Sequence, residues 1–350
     1  MPTHEHALVV GKFAPLHRGH QLLLDLASAV AEQLTVIVWS NPDFPDMPSE
    51  VRAGWVRALY PNARVLAPRD APDNAEPDHV HREYVAATLR THRFRPDVVL
   101  TSEDYGPGFA AHLGVRLISV DPAREALPIS GSAIRADVHA HRHMLDPHVY
   151  AYFVDKVVLL GAESTGKSTL AARLADELEI VHVDEIGRYH DEARGGVLDL
   201  DDYVAIAQQH RATEEAAAHW ANRWLIVDTN AMTTMFFSHY YNRESRPELR
   251  ALADECRTRY RHVFVCDDDI PFEQDGWRDN EAWRARMQGM VLHDLAVRGI
   301  PYTVVHGTLD ERVAQVKAVL AGAASTASNR PVASCGPRPV TQSTMQEEQR

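Results

Sequence analysis

Short apolar runs alternate with stretches of helical period along most of this chain. Residues 7–12 are an apolar run of strand length that ends in Gly11 and Lys12. Residues 19–33 carry apolar positions at helical spacing, with Leu22, Leu23, Leu26 and Val30 predicted on one face. The same pattern predicts strands over 35–39, 97–101 and 116–120, and helices over 49–59 and 81–91, the former with Ser49 as N-cap. Around residue 145 the pattern restarts. Strands are expected over 156–160, 180–183, 225–228, 263–266 and 302–305, and helices over 168–178 and 309–321. From Gly322 the chain turns to small and polar residues, which predicts a disordered tail over 322–350. No internal repeat is present.

Strands alternating with helices imply an α/β fold with mostly parallel sheets covered by helices on both faces. The restart divides the chain into two such doubly wound domains, 1–150 and 151–321, joined by a short linker over 145–155. Ligands in such sheets bind beyond the carboxyl ends of the strands.

A length of 350 residues suits two cores better than one. No run approaches membrane-spanning length, and the N-terminus carries no signal segment. Three scattered cysteines, Cys256, Cys266 and Cys335, fit a reducing cytoplasm without a disulfide framework. The formal net charge of -13 argues against general nucleic-acid binding. Anionic substrates must then be held by local donors. Of the 36 basic residues four are lysine, Lys12, Lys156, Lys167 and Lys317, and two of these fall in the phosphate-handling motifs that follow. A lysine is a compact point charge that an arginine fork does not freely replace.

The second domain opens with Gly161, four residues, then Gly166-Lys167-Ser168-Thr169, a complete Walker A sequence between a predicted strand and a predicted helix. Its backbone N–H groups and the helix N-terminus suit phosphates. Lys167 is expected to reach the β- and γ-phosphates and Ser168 to ligate Mg²⁺. Asp228 ends an apolar strand as a Mg²⁺-organising acid does, although a strand-end aspartate also caps turns. Asp184 and Glu185 are alternative candidates for the base, with Arg188 following. Residues 275–280, with Arg278, Arg284 and Arg286, suggest a lid whose arginines neutralise a migrating phosphoryl group, or an ordinary charged helix face.

In the first domain, Gly11-Lys12-Phe13 leads through Pro15 to His17-Arg18-Gly19-His20 at the start of a helix. Two imidazoles three residues apart there can face one point and stabilise charge on an attacked α-phosphate. Downstream, Ser130-Gly131-Ser132-Ala133-Ile134-Arg135 offers two hydroxyls and an arginine at a helix start, a cradle for polyphosphate.

These motifs together resemble the nucleotidyltransferases of the nicotinamide mononucleotide adenylyltransferase type. With the Walker A that follows, the chain over about 7–320 resembles the NadR-type bifunctional proteins. The resemblance implies a Rossmann-like nucleotidyltransferase domain followed by a P-loop ribosylnicotinamide kinase domain. It implies ATP as co-substrate in both, Mg²⁺ as cofactor, and nicotinamide riboside, nicotinamide mononucleotide and NAD as ligands. It assigns Lys12, His17, His20, Ser130, Ser132 and Arg135 to adenylyl transfer, and Gly166, Lys167, Ser168 and Asp228 to the kinase. Glu185 and Arg188 match its nucleoside-binding stretch, and residues 102–106 its nucleotide pocket. Arg52 and Trp55 are candidate nicotinamide-mononucleotide contacts, with packing an equal alternative. Some members carry an N-terminal helix-turn-helix; with a strand beginning by residue 7, such a domain and direct DNA binding are not expected here, and a homo-oligomer stays open.

Two rival readings remain. A flavin-nucleotide enzyme also pairs a kinase with an adenylyltransferase, but its kinase lacks a Walker A. A nucleotide-sensing regulator with weak chemistry would retain binding without turnover. His139, His141, His143 and His148 do not have the spacing of a closed metal site. Asp267, Asp268 and Asp269 fit a turn better than a Mg²⁺ cluster.

Overall fold

The computed structural model describes residues 2–187, 190, 197–271 and 281–326. Two five-stranded parallel sheets organise the chain, in strand orders β3-β2-β1-β4-β5 and β10-β9-β6-β8-β7. The first is built from β1 (His4–Gly11), α1 (Arg18–Val30), β2 (Ala31–Val38), α2 (Ser49–Leu59), β3 (Arg64–Leu66), α3 (Asp78–Thr91), β4 (Val98–Thr101), α4 (Gly106–Leu113), β5 (Arg116–Ser119) and α5 (Gly131–Ala136). Alternation within β1 sets its two faces. Ala7 and Val9 pack with Leu24, Ala27 and Val56, whereas Leu8 packs with Val85, Leu89 and Phe109. A side-chain period of two thus sends α1 and α2 to one face and α3 and α4 to the other.

A short helix, α6 (Pro147–Tyr150), and a 3₁₀ turn (Ala151–Phe153) join the sheets. They are packed rather than slack. Val149, Tyr150 and Phe153 are buried in the first core. The Tyr152 hydroxyl donates to the Asp46 carbonyl at 2.7 Å on one side, and Tyr150 donates to the Asn222 carbonyl on the other.

The second sheet is built from β6 (Asp155–Leu160), α7 (Lys167–Leu178), β7 (His182–Val183), α8 (Leu200–Ala218), β8 (Trp224–Asp228), α9 (Ala231–Asn242), α10 (Pro247–Arg259), β9 (His262–Cys266), α11 (Glu281–Arg298), β10 (Thr303–Val305) and α12 (Leu309–Thr326). Val157 and Leu159 face α7 and α12, while Val158 and Leu160 face α8, α9 and α10. In the register of β6 and β8, Leu159 lies opposite Asp228.

Several local expectations are corrected. α1 ends at Val30 and β2 begins at Ala31, and the buried face of α1 is Leu23, Leu24 and Ala27, with Leu26 exposed. Pro48, not Ser49, is the N-cap of α2, and no side chain caps it. β1 starts at His4, α3 at Asp78, β7 is only His182–Val183, and β10 begins at Thr303. α12 runs past Gly322 to Thr326, so the helix overlaps the expected tail.

Candidate functional sites

Both motifs sit where the topology provides crevices. In the first sheet the chain leaves β1 at Gly11, and its neighbours β2 and β4 continue in opposite directions across the sheet, the switch point where such folds bind ligands. Phe13 is fully buried with φ 49°, and its ring meets that of His20 edge-on at 5.0 Å. His17 is the N-cap of α1: its Nδ1 accepts the Gly19 N–H at 3.1 Å. His20 Nδ1 accepts the His17 N–H at 3.4 Å, and the two imidazoles stack with centroids 3.8 Å apart. An Nδ1 that accepts leaves the proton on Nε2; the His17 ring thus presents an N–H away from its backbone partner, while the His20 ring N–H also has the Pro15 carbonyl as a partner. Burial, assisted by the charge of Arg124, lowers the His17 pKa to about 4; burial and the neighbouring imidazole hold His20 well below its usual range. Both rings are therefore neutral N–H donors at neutral pH.

The downstream motif closes on the first. Arg135 donates to the Ala14 carbonyl and, through Nη2, to Ser132 Oγ at 2.8 Å. A Cβ on Gly131 would stand 2.8 Å from the Ala14 oxygen, so only glycine permits this approach. Ser130 is the N-cap of α5, its Oγ accepting the Ala133 N–H at 3.2 Å. Lys12 joins the same positive cluster: burial and the charge of Arg135 lower its pKa. Sequence reasoning missed Arg124, which sits in a tight turn after β5, pairs with Glu103 at 3.3 Å, and whose charge acts on both histidines. That turn has no motif signature; the Asp121 carboxylate organises it by accepting the N–H groups of Glu125, Ala126 and Leu127.

Arg52 and Trp55 are placed by packing. Arg52 is fully buried; its Nε donates to the Met47 carbonyl at 2.8 Å and its Nη1 to the carbonyls of Trp39, at 2.9 Å, and Lys12. Burial lowers its pKa to about 10. Trp55 is buried against Tyr152 and Phe153. Arg52 thus braces the Lys12 backbone, and Trp55 belongs to the core beside the domain junction.

In the second sheet, Gly161 leaves β6 with φ 135°, where a Cβ would meet the Cys266 carbonyl at 2.7 Å. Gly166 (φ 80°) precedes α7. Lys167 is buried and its Nζ donates to the Ala162 carbonyl at 2.7 Å, while Ser168 and Thr169 are exposed on the first turn of α7. Two buried side chains unforeseen from the sequence grip this loop. Gln288 accepts the Ala162 N–H at 2.9 Å and donates to the Cys266 carbonyl at 3.0 Å. Arg312 donates to the carbonyls of Thr165 at 2.6 Å and Gly307 at 2.9 Å, and pairs with Asp269.

Asp228 is fully buried at the end of β8, and neither carboxylate oxygen has a hydrogen-bond partner. A buried ionised acid without donors is costly unless a cation satisfies it. The residue and its place beside the loop therefore fit a divalent cation, which Asp228 and the Ser168 hydroxyl would hold. Asp184 is exposed and pairs with His182 at 3.1 Å; Glu185 follows it at the end of β7. Arg188 and Arg278, with the whole of 275–280, lie outside the described residues. Arg284 is corrected from lid to anchor: it is buried, donating to the carbonyls of Asp268 at 2.8 Å and Ile270 at 2.9 Å, while Arg286 is exposed. Asp267–269 follow β9 in a bend, with Asp267 accepting the Asp268 N–H at 3.1 Å and Asp269 accepting the Gly307 N–H at 2.6 Å. His139 pairs with the Tyr150 hydroxyl at 2.8 Å and His141 with the Asp137 carbonyl at 2.8 Å. Among the described residues no group of three or more His, Cys, Asp or Glu is disposed to hold a metal, and no helix is long and apolar enough to cross a membrane. Cys256 and Cys266 are free and buried.

Two nucleotide-type crevices on two parallel sheets define the class, an α/β protein with a P-loop second domain; residues 156–312 match the family model described as an AAA domain. Over most of its length the chain is similar to the NadR proteins. It is 28% identical over 323 residues to the trifunctional NAD biosynthesis/regulator protein NadR of Escherichia coli (strain K12), covering 85% of this chain and 78% of that protein. It is likewise 28% identical over 321 residues to the protein of the same name from Salmonella typhimurium, with the same coverage, 85% and 78%. A crystal structure of NadR protein in complex with NR superposes with a TM-score of 0.67 at 19% identity, covering 90% of this chain and 95% of that one. A NadR crystal structure in complex with NAD and AMP-PNP gives a TM-score of 0.67 at 21% identity, covering 91% and 96%. The resemblance read from the motifs is thus met along both domains, and the shared fold with it.

Proposed function

We propose that this chain is a bifunctional NAD-forming enzyme. Its second domain phosphorylates nicotinamide riboside with ATP, and its first joins the resulting nicotinamide mononucleotide to the adenylyl group of a second ATP, releasing pyrophosphate. The observation that carries the reading is the pairing of two complete phosphate cradles, His17–His20 with Ser132–Arg135 over one sheet and the P-loop with Asp228 over the other. The names and ligands of the NadR relatives, NR in one structure and NAD with AMP-PNP in another, supply the substrate class.

At the first site the neutral imidazoles of His17 and His20 offer N–H groups to charge developing on the α-phosphate, and Lys12, Ser132 and Arg135 hold the polyphosphate. No covalent nucleophile is needed, because aligning the two nucleotides removes most of the entropic barrier. At the second site the P-loop amides and Lys167 hold the β- and γ-phosphates. Mg²⁺, bound by Ser168 and Asp228, would screen the phosphate charge during transfer. Asp184 or Glu185 accepts the proton of the riboside hydroxyl. Glu185 and, outside the described residues, Arg188 are assigned to nucleoside binding. DNA binding is not part of the proposal, since a formal net charge of -13 gives no basic footprint.

Incubation with nicotinamide riboside, ATP and Mg²⁺, with chromatographic separation of products, tests this reading. NAD together with ADP and pyrophosphate is expected. Tight NAD or ATP binding without turnover would instead favour a nucleotide sensor.

A further inference from the structure

Asp228 has no side-chain donor, so its carboxylate points where its backbone sends it. The backbone there turns abruptly: Thr229 follows in the left-handed region at φ 64°, its N–H bonded to the Leu159 carbonyl at 3.1 Å. The Asp228 carbonyl, on the other side of the same residue, is held by one side chain, His210 from α8, whose Nε2 lies 3.1 Å away. A carbonyl only accepts, so Nε2 carries a proton.

His210 is itself fixed from behind. Its Nδ1 lies 3.4 Å from Glu214 Oε1 one turn along α8; a carboxylate only accepts, so this contact braces the ring with a second N–H, on Nδ1. Glu214 is the hub of a buried network: Arg259 Nε donates to it at 2.8 Å, the Tyr260 hydroxyl at 2.8 Å, and Lys156 Nζ at 3.4 Å. Lys156 lies on β6, the strand that leads into the P-loop, and Arg259 and Tyr260 lie at the end of α10. The network therefore ties three elements of the second domain to the backbone of its buried acid. A group used only for packing would not need a ring with one nitrogen on a carbonyl and the other on a saturated carboxylate.

We propose that His210 is a positioning residue for the kinase site: its hydrogen bond to the Asp228 carbonyl, braced by Glu214, sets the direction of the carboxylate that holds the nucleotide-bound cation. The inference rests on the kinase reading of the second domain. Residues that orient a metal-binding group in this way typically change metal affinity by roughly 10- to 100-fold when removed.

Two substitutions separate orientation from packing in the full-length protein. His210→Gln places an amide N–H near the position of Nε2, so it keeps the donor to Asp228. His210→Asn ends near the position of Nδ1, so it keeps a group toward Glu214 and withdraws the one toward Asp228. Binding of a non-hydrolysable ATP analogue is measured by calorimetry with and without Mg²⁺; the first domain contributes equally in all three proteins. H210N is expected to weaken the Mg²⁺-dependent component by about 10-fold or more, to leave Mg²⁺-free binding unchanged, and to raise the Mg²⁺ needed for half-maximal phosphorylation. H210Q is expected to restore both. Equal Mg²⁺ dependence in H210N, H210Q and the parent protein would overturn the positioning role, whatever their melting temperatures. A parent protein with no Mg²⁺-dependent nucleotide binding at the second site would overturn the kinase reading and this inference with it. If H210N does not fold, the parent protein gives the answer by NMR: the His210 Nε2 proton should be protected from exchange and should shift on Mg²⁺–nucleotide binding. A rapidly exchanging, unshifted proton would contradict the proposal.

Discussion

Arg312 of α12 donates to the carbonyl of Thr165 inside the P-loop, at 2.6 Å, across 147 residues of sequence. The same guanidinium serves the carbonyls of Gly307 and Asp267 and the carboxylate of Asp269. One planar fork thus fixes the loop to the ends of β9 and β10, a role that the point charge of a lysine would fill poorly.

Replacing Arg312 by Met removes this brace and leaves buried acceptors unpaired, at about 1–3 kcal/mol for each one that water cannot reach. Phosphorylation should fall sharply and the second domain should melt earlier, while adenylation of supplied nicotinamide mononucleotide stays near the parent rate. Separate assays of the two half-reactions, with a calorimetric melt, check this.

Trp55 distinguishes packing from substrate contact in the first domain. Buried against Tyr152 and Phe153, it should cost about 3–5 kcal/mol of stability when changed to Ala. A Trp55→Ala protein with an unchanged denaturation midpoint but a raised KM for nicotinamide mononucleotide would return Trp55 to the substrate site.

The histidine pair makes a pH prediction. With the His17 pKa lowered from 6.5 to about 4 and His20 lowered as well, both rings stay neutral in the folded protein as pH falls through the usual histidine range. The kcat/KM for adenylation, which reports the free enzyme, should show no loss of activity around pH 6.5 and should decline only toward pH 4. Stability moves differently. The unfolded chain takes up protons below pH 6.5 that the folded one refuses, so this pair destabilises the fold progressively between pH 6.5 and 4. A pH series of both rates and melting temperatures separates the two effects.

The sheets were legible because their strands are runs such as Val157–Leu160, buried on both faces and therefore continuously apolar. The two glycine-bearing turns were legible because backbone contact with phosphate restricts the side chains allowed there. The three-residue edge strand β3 was too short to stand out. α8 escaped because its inner face carries Asp202, His210 and Glu214 beside Tyr203 and Ile206, so no apolar stripe marks it. The arginines misled for one reason. Arg52 and Arg284 look like substrate or phosphate ligands by type, yet each is buried and donates to backbone carbonyls, as the unforeseen Arg312 also does. Periodicity can place an arginine on a helix, but which carbonyls lie within its reach depends on loops distant in sequence.

The claim that two separate sites carry two reactions is tested most directly by crossing two variants with two half-reactions. Lys167→Ala should abolish phosphorylation of nicotinamide riboside and spare adenylation of nicotinamide mononucleotide; His17→Ala should do the reverse. Mixing the two variants with riboside and ATP should restore NAD formation. Loss of both half-reactions in either folded variant, or no NAD from the mixture, would contradict the account.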